Sequence, residues 1–221
     1  MQMLETLSSL NEDTRKRDKR SLILNGAIET FAKKGYQYAT IEEIAREAGV
    51  SKGLVHFYFE NKLDVLFSVI LLFSDGINES ITRKLSSLHD PVTKLHAVFE
   101  TFQEMMINKK KNISWGNILK EGLPGTAALK NRKLKEKYRQ IIQTAEYLQN
   151  TIDGIILEGQ QKGLIDPSLK PAVIRQILGG SSQMLFYGLT LQRRRGRNFG
   201  YSEEDVVASL HVLIDKFILH Q

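Results

Sequence analysis

The 221-residue chain contains no cysteine. That excludes disulfides, thiolate nucleophiles and cysteine-ligated metals, and it accords with the expected cytoplasmic location. Only four prolines occur (Pro91, Pro124, Pro167, Pro171), all outside the strongest helical patterns. No apolar run approaches the roughly 18 residues needed to cross a bilayer, and the polar N-terminus does not read as a signal peptide, so no membrane partner is expected. Convincing period-two alternation is missing as well, which removes β-rich folds from consideration. The five histidines (His56, His89, His96, His211, His220) show neither HxxxH nor HExxH spacing, so no metal site is expected. GxSxG, GxGxxG and phosphate-cradling glycine loops are lacking too, so neither a catalytic residue nor a cofactor is expected. A helical enzyme built on scattered carboxylates would leave the first sixty residues unexplained.

Charge is present in quantity but not where a nucleic-acid partner would first place it. The formal net charge is +6 and the pI near 9.4, yet residues 1–60 hold nine Lys/Arg and nine Asp/Glu. The remaining residues hold 22 and 16 and carry the whole surplus. The first sixty residues offer clustering instead: Arg15, Lys16, Arg17, Lys19 and Arg20 stand together with Asp18 as the only acid among them. Such a run is either a solvated helix start or a phosphate contact, with Arg17 and Arg20 the candidates, because local placement governs affinity for DNA more than domain totals do.

Residues 40–62, TIEEIAREAGVSKGLVHFYFENK, are the most informative stretch. Thr40 followed by Glu43 is a capping-box start. Ile41, Ile44, Ala45 and Ala48 then give one apolar helical face. Gly49 suits a left-handed C-terminal position, Val50 can plug the corner, and Ser51 can cap a second helix from Lys52. Two short helices joined by a glycine-containing turn are the sequence form of a helix-turn-helix. Ahead of them, Ile23, Ala27 and Phe31 recur at helical spacing until Lys33, Lys34 and Gly35 end the run. Three helices therefore enclose a core of Ile23, Ala27, Phe31, Ile41, Ile44, Ala45, Val50, Val55 and Phe59.

Across residues 18–66, the pattern Ile23, Ala27, Phe31, Gly35-Tyr36, Thr40, Ile44-Ala45, Ala48-Gly49-Val50-Ser51, Gly53, Tyr58-Phe59 and Lys62 resembles the N-terminal domain of TetR-family transcriptional regulators. His56 stands where that family usually has tyrosine, a departure that bears on the operator sequence. The resemblance implies that the helix Lys52–Tyr58 enters the major groove, with Lys52, Gly53, His56 and Phe57 near base edges. It implies phosphate contacts from Thr40, Ser51, Tyr58 and Lys62. Phe57 and Tyr58 have an alternative reading as core residues, and Leu54 is undecided.

The expected fold is all-α: a flexible arm over 1–14, a three-helix helix-turn-helix domain over 15–62, and a larger helical domain over 63–221 for effector binding and dimerisation. A very apolar helix from Asn61 to about Lys84 links the two. Further helices are expected near 92–109, 114–122, 133–162, 171–193 and 203–219. In the last two, Ile174, Leu178, Ser181, Leu185, Leu210, Leu213, Ile214 and Phe217 lie on apolar stripes that either pack within the subunit or, as the resemblance implies, form a four-helix homodimer interface. Phe73, Phe99, Phe102, Met105, Met106, Trp115, Tyr138, Tyr147, Met184 and Tyr187 are either core or the lining of a pocket for a small apolar or amphipathic effector. Gly179 to Ser182 would let helices approach closely. The run Arg193-Arg194-Arg195-Gly196-Arg197 ends a helix in an exposed loop, or holds an anionic effector such as an acyl-CoA. The implied function is that of a dimeric repressor released from palindromic double-stranded operator DNA by a small molecule. The alternatives are a DNA-binding protein without a small-molecule effector, architectural or partner-controlled, and, further off, a helical enzyme or sensor.

Overall fold

The structure is a computed structural model that describes residues 2–107, 129, 131–196 and 198–218, with all facts below confined to them. Among these residues the regular elements are helical: α1 (Gln2–Lys34), α2 (Ile41–Glu47), α3 (Lys52–Tyr58), α4 (Lys62–Leu85), α5 (Pro91–Ile107), α6 (Arg132–Gln161), α7 (Pro171–Arg195) and α8 (Glu203–Leu213), closed by a π-helical turn, Ile214–Ile218. A helix expected at 114–122 lies outside the described residues. The chain forms two compact units, one from Met1–Leu71 with Asn117–Tyr138 and the other from Leu72–Gly116 with Arg139–Gln221.

Two expected boundaries are corrected. α1 runs unbroken from Gln2, so no boundary falls at residue 14 and the expected arm is helix. Its first fourteen residues contain neither proline nor glycine, and Leu, Met, Glu and Gln continue a helix at little cost. The first unit also extends beyond residue 62 to Leu71 and takes in the start of α6, so its boundary falls inside α4.

In the first unit α1 packs on α2 and α2 on α3. The core contains Ile23, Ala27, Phe31, Ile44, Ala45, Val55 and Phe59, all under 4% exposed, together with Leu24 and Ala39. Ile41 and Val50 are only half-buried. Gly26 explains how closely α1 meets the end of α2: a Cβ there would lie 2.7 Å from the Ala48 nitrogen. α4 is long and apolar enough to span a membrane by length and composition alone. Its apolar side chains Val65, Phe67, Val69, Ile70, Phe73 and Ile81 are instead buried in the protein.

In the second unit Ile81, Leu95, Val98, Phe99, Ile156, Ile165, Ile174, Leu178 and Ile214 share one core, and Phe186, Leu189, Val206 and Leu210 form another. Four residues expected at a dimer interface are thereby reassigned: Ile174, Leu178, Leu210 and Ile214 are at most 2% exposed and hold the subunit itself together. Leu185 and Leu213 are half-buried against the same clusters, Ser181 is half-buried, and the Phe217 side chain lies outside the described residues. Gly179 and Gly180 have nothing near where a Cβ would stand, whereas Gly188 abuts the Tyr201 hydroxyl, which donates to the Leu185 carbonyl at 3.2 Å. Close packing in α7 therefore depends on Gly188.

Between α5 and α8, His96 and His211 stack at 4.7 Å with their Nδ1 atoms 2.6 Å apart, so one ring donates and the other accepts. Their Nε2 atoms face Asp215 at 2.8 Å and Glu100 at 3.7 Å, crossing the two helices with two His–carboxylate pairs.

Several expected effector contacts are also displaced. Tyr147 is 54% and Met184 70% exposed, so neither lines an enclosed pocket. Tyr138 lies in the first unit, its ring 6.0 Å from Phe67. Phe73 and Phe99 are buried, Phe102 sits 6.3 Å from Phe99, and Tyr187 is half-buried. The side chains of Met105 and Met106, and the whole of Trp115, lie outside the described residues. α7 ends at Arg195 with Gly196 left-handed at φ 63°, as a helix-terminating reading of the arginine run requires.

Candidate nucleic-acid interface

The reading head is organised by caps. The Glu43 N–H donates to Thr40 Oγ1 at 3.2 Å, while Glu43 Oε2 accepts the Thr40 N–H at 3.1 Å, closing the capping box of α2. Gly49 adopts φ 66°, and the Val50 N–H returns to the Ala45 carbonyl at 2.9 Å, which turns the chain into α3. Ser51 Oγ accepts the Leu54 N–H at 3.2 Å. In both caps the hydroxyl oxygen is used as an acceptor, which leaves each O–H free to donate to a phosphate. Salt bridges from Lys33 to Glu47 and from Lys34 to Glu43 brace the end of α1 against α2. The hydrogen bond from Lys34 holds the Glu43 carboxyl below the usual range.

Thr40, Ser51, Lys52, Gly53, His56 and Phe57 are all exposed, Phe57 at 71%. A core role for Phe57 is therefore ruled out. Tyr58 is half-buried, edge-on to Phe57 at 5.1 Å. Lys52 pairs with Glu42 of α2, and that hydrogen bond lowers the glutamate's pKa. The pair occupies one of the three ammonium donors, so Glu42 offsets the Lys52 charge that a base or phosphate would meet.

Two cations differ from expectation. Lys62 was expected on a phosphate, but its Nζ donates to the carbonyls of Tyr36 (2.8 Å), Gln37 (3.0 Å) and Ala39 (2.8 Å) and lies 4.6 Å from the Tyr36 ring centre. All three ammonium donors are thus occupied. The physical reason is its position at the first residue of α4, where the helix dipole disfavours a cation and the carbonyls beyond the end of α1 attract one. Arg20 is exposed but spreads over the Phe59 ring at 5.5 Å, and the Arg17 side chain lies outside the described residues.

Sequence reasoning passed over Tyr38, 82% exposed and two residues before the Thr40 cap. An aromatic residue at the lip of a capped loop was the available signal. It also passed over the way the start of α6 is held against the head. Asn131 Nδ2 donates to Glu60, Lys137 bridges Asp64 and Ser68, and Lys133 lies 3.5 Å from Asp64. Asp64 is fully buried. Burial alone would raise its pKa, but the bond from Lys137, the Glu60 N–H and the charges of Lys137 and Lys133 together hold it below the ordinary carboxylate range.

These features have counterparts in known proteins. Residues 23–69 match the family described as bacterial regulatory proteins, tetR family. The fatty acid metabolism regulator protein of Bacillus subtilis is 30% identical over 170 residues, covering 75% of this chain and 80% of that protein. Among solved structures, the fatty acid degradation regulator FadR from Bacillus halodurans shares the fold with a TM-score of 0.72 at 22% identity, covering 92% of this chain and 97% of its own. FadR from Bacillus subtilis, solved in complex with stearoyl-CoA, shares it with a TM-score of 0.67 at 24% identity, covering 89% and 97%. The capped helix-turn-helix and a likeness that extends far beyond it lead to one assignment: the chain belongs to the TetR family of bacterial transcriptional regulators and binds DNA.

Proposed function

We propose that the protein is a homodimeric cytoplasmic repressor, released from a palindromic operator by an acyl-CoA thioester and acting through binding rather than catalysis. One observation carries the choice of effector. The family match covers only the DNA-binding segment, residues 23–69, whereas identity to a fatty acid metabolism regulator extends over 75% of the chain and so into the second unit. A solved structure of the same fold holds stearoyl-CoA, which supports the same ligand class for this chain. The second unit also buries Asn78 Oδ1 without a donor among the described residues, while Asn78 Nδ2 donates to the Thr144 carbonyl at 3.3 Å. A buried unpaired acceptor is costly, and an effector N–H or O–H would satisfy it.

Exposure on α7 supports the reading of a dimer face. Val173, Ile177, Gly180 and Met184 stand on one exposed stripe of α7 at helical spacing, and Val212 is 45% exposed on α8. Two copies meeting there would present two α3 helices to half-sites about 34–36 Å apart. An acyl-CoA that prefers a differently spaced state lowers operator affinity in proportion to its differential affinity. Lys52, Gly53, His56 and Phe57 would read bases, while Thr40, Ser51 and Tyr58 would hold phosphates. The test is fluorescence anisotropy of labelled operator DNA during titration with acyl-CoAs of graded chain length. Release by a long-chain thioester, with free CoA inert, is the expected result. Indifference to every acyl-CoA would leave a DNA-binding protein with some other control.

A further inference from the structure

Sequence spacing links none of the five histidines, yet the fold brings two of them, 115 residues apart, nitrogen to nitrogen. His96 of α5 and His211 of α8 are half-buried, with ring planes 14° from parallel and Nδ1 atoms 2.6 Å apart. Each ring turns its other nitrogen to a carboxylate. His96 Nε2 lies 2.8 Å from Asp215 on the π-helical turn, and His211 Nε2 lies 3.7 Å from Glu100 on α5. The other charges of these elements are engaged elsewhere. Lys94 of α5 is paired with Glu158, Glu104 with Lys84, and Arg175 of α7 with Asp153. Glu203, Glu204 and Asp205 stand at the opposite end of α8, and Lys216, next to Asp215, is exposed. The side chains of residues 193–195 lie outside the described residues.

A carboxylate only accepts, so a ring nitrogen facing one must carry hydrogen to be attracted to it. The Nδ1–Nδ1 contact must hold one hydrogen and no more. Two neutral rings supply two hydrogens for these three contacts. The shorter carboxylate contact belongs to His96, which assigns its hydrogen to Nε2 and leaves its Nδ1 as acceptor. His211 then donates from Nδ1 and turns a bare Nε2 to Glu100. The lengths agree: 2.8 Å is a hydrogen bond and 3.7 Å is not. One proton from solvent on His211 Nε2 would complete the third contact and set a positive charge between two carboxylates. A second would put two N–H groups head to head and two like charges side by side, and the rings would have to part.

We propose that His96 and His211 form a one-proton clasp between α5 and α8: the first proton taken from solvent tightens it, and the second forces it open. Histidine is the side chain that ordinarily gains its charge between about pH 5 and 8, so the device works near neutrality. Opening it frees the end of α8 beside Ile214, which packs in one core with Leu95, Val98 and Phe99. The clasp lies wholly in the second unit and stands whether or not an acyl-CoA is the effector.

The test is ring-nitrogen NMR of the full chain, labelled with nitrogen-15 histidine and titrated from about pH 8 to about pH 5. H96Q and H211Q identify the two rings. At the alkaline end His96 is expected in the Nε2–H form and His211 in the Nδ1–H form. On acidification His211 should take its proton first, and His96 should stay neutral until exchange of the α8 amide hydrogens accelerates. Glu100 is exposed, so E100Q keeps the fold and tests the ordering even where the histidine variants do not fold. Loss of a charge about 4 Å away in water should weaken proton binding at His211 about fivefold and leave the form of His96 unchanged. Two rings that titrate together as independent histidines, or that both stay neutral down to about pH 5, overturn the proposal. An E100Q titration identical to wild type overturns it as well.

Discussion

Replacing Lys62 with methionine separates a structural cation from a DNA-contacting one, because methionine keeps an unbranched apolar stem and removes only the charge and donors. In the folded protein Nζ donates three hydrogen bonds of 2.8–3.0 Å, two of them part-buried, to Tyr36, Gln37 and Ala39. A hydrogen bond to a charged group contributes about 1.5–3 kcal/mol. The exposed Gln37 carbonyl returns to water at little cost, and removing a cation from the start of α4 relieves about 0.3–1 kcal/mol of dipole repulsion. The net loss is about 2–6 kcal/mol, and each kcal/mol lowers the melting midpoint of a protein of 150–250 residues by roughly 2–4 °C. Differential scanning calorimetry should therefore show a drop of at least about 4 °C for K62M. Below that melt, the salt slope of DNA binding should equal that of the wild type. A flattening of about 0.9 per half-site with no change in melting would place Lys62 on a phosphate and refute the reasoning.

Other perturbations test neighbouring parts of the account. Gly26→Ala should destabilise by about 1–3 kcal/mol in chemical denaturation, because the new methyl would stand within 2.9 Å of three Ala48 atoms; a stabilised variant would show that α1 and α2 are not in such close contact. Asp64→Asn should cost about 3–5 kcal/mol by leaving Lys137 without its buried partner. Because the Asp64 pKa is lowered on folding, its contribution is complete above about pH 4 and is lost as pH falls through the folded value, so D64N should show a shallower acid decline than the wild type. Glu42→Gln should tighten operator binding by freeing Lys52, whereas Lys52→Ala should weaken specific binding by about 1–3 kcal/mol; equal loss on random DNA would make Lys52 a phosphate contact. Ile177→Asp with Met184→Asp should yield a monomer in sedimentation while leaving the exposed-face fold intact; a persisting dimer would relocate the interface.

The helix-turn-helix was legible because its determinants are local. The Thr40–Glu43 box, Gly49 and Ser51 each act within three or four residues, and each takes the expected geometry. What escaped the sequence depends on partners far away along it. Lys62 meets carbonyls 23–26 residues back, and Lys137 meets Asp64 across 73 residues. No periodicity encodes such pairings. The stripe at Ile174, Leu178, Leu210 and Ile214 was ambiguous for a different reason: its apolar pattern suits burial within one subunit as well as between two, and all four are buried within the chain. Exposure alone distinguishes it from Val173, Ile177 and Met184.

The most direct test of the central claim is selection and sequencing of genomic fragments bound by the purified protein, with and without a long-chain acyl-CoA. The account predicts enrichment of a two-fold symmetric site that disappears when the thioester is added. Fragments without a common site, or a symmetric site retained undiminished across all acyl chain lengths, would contradict it.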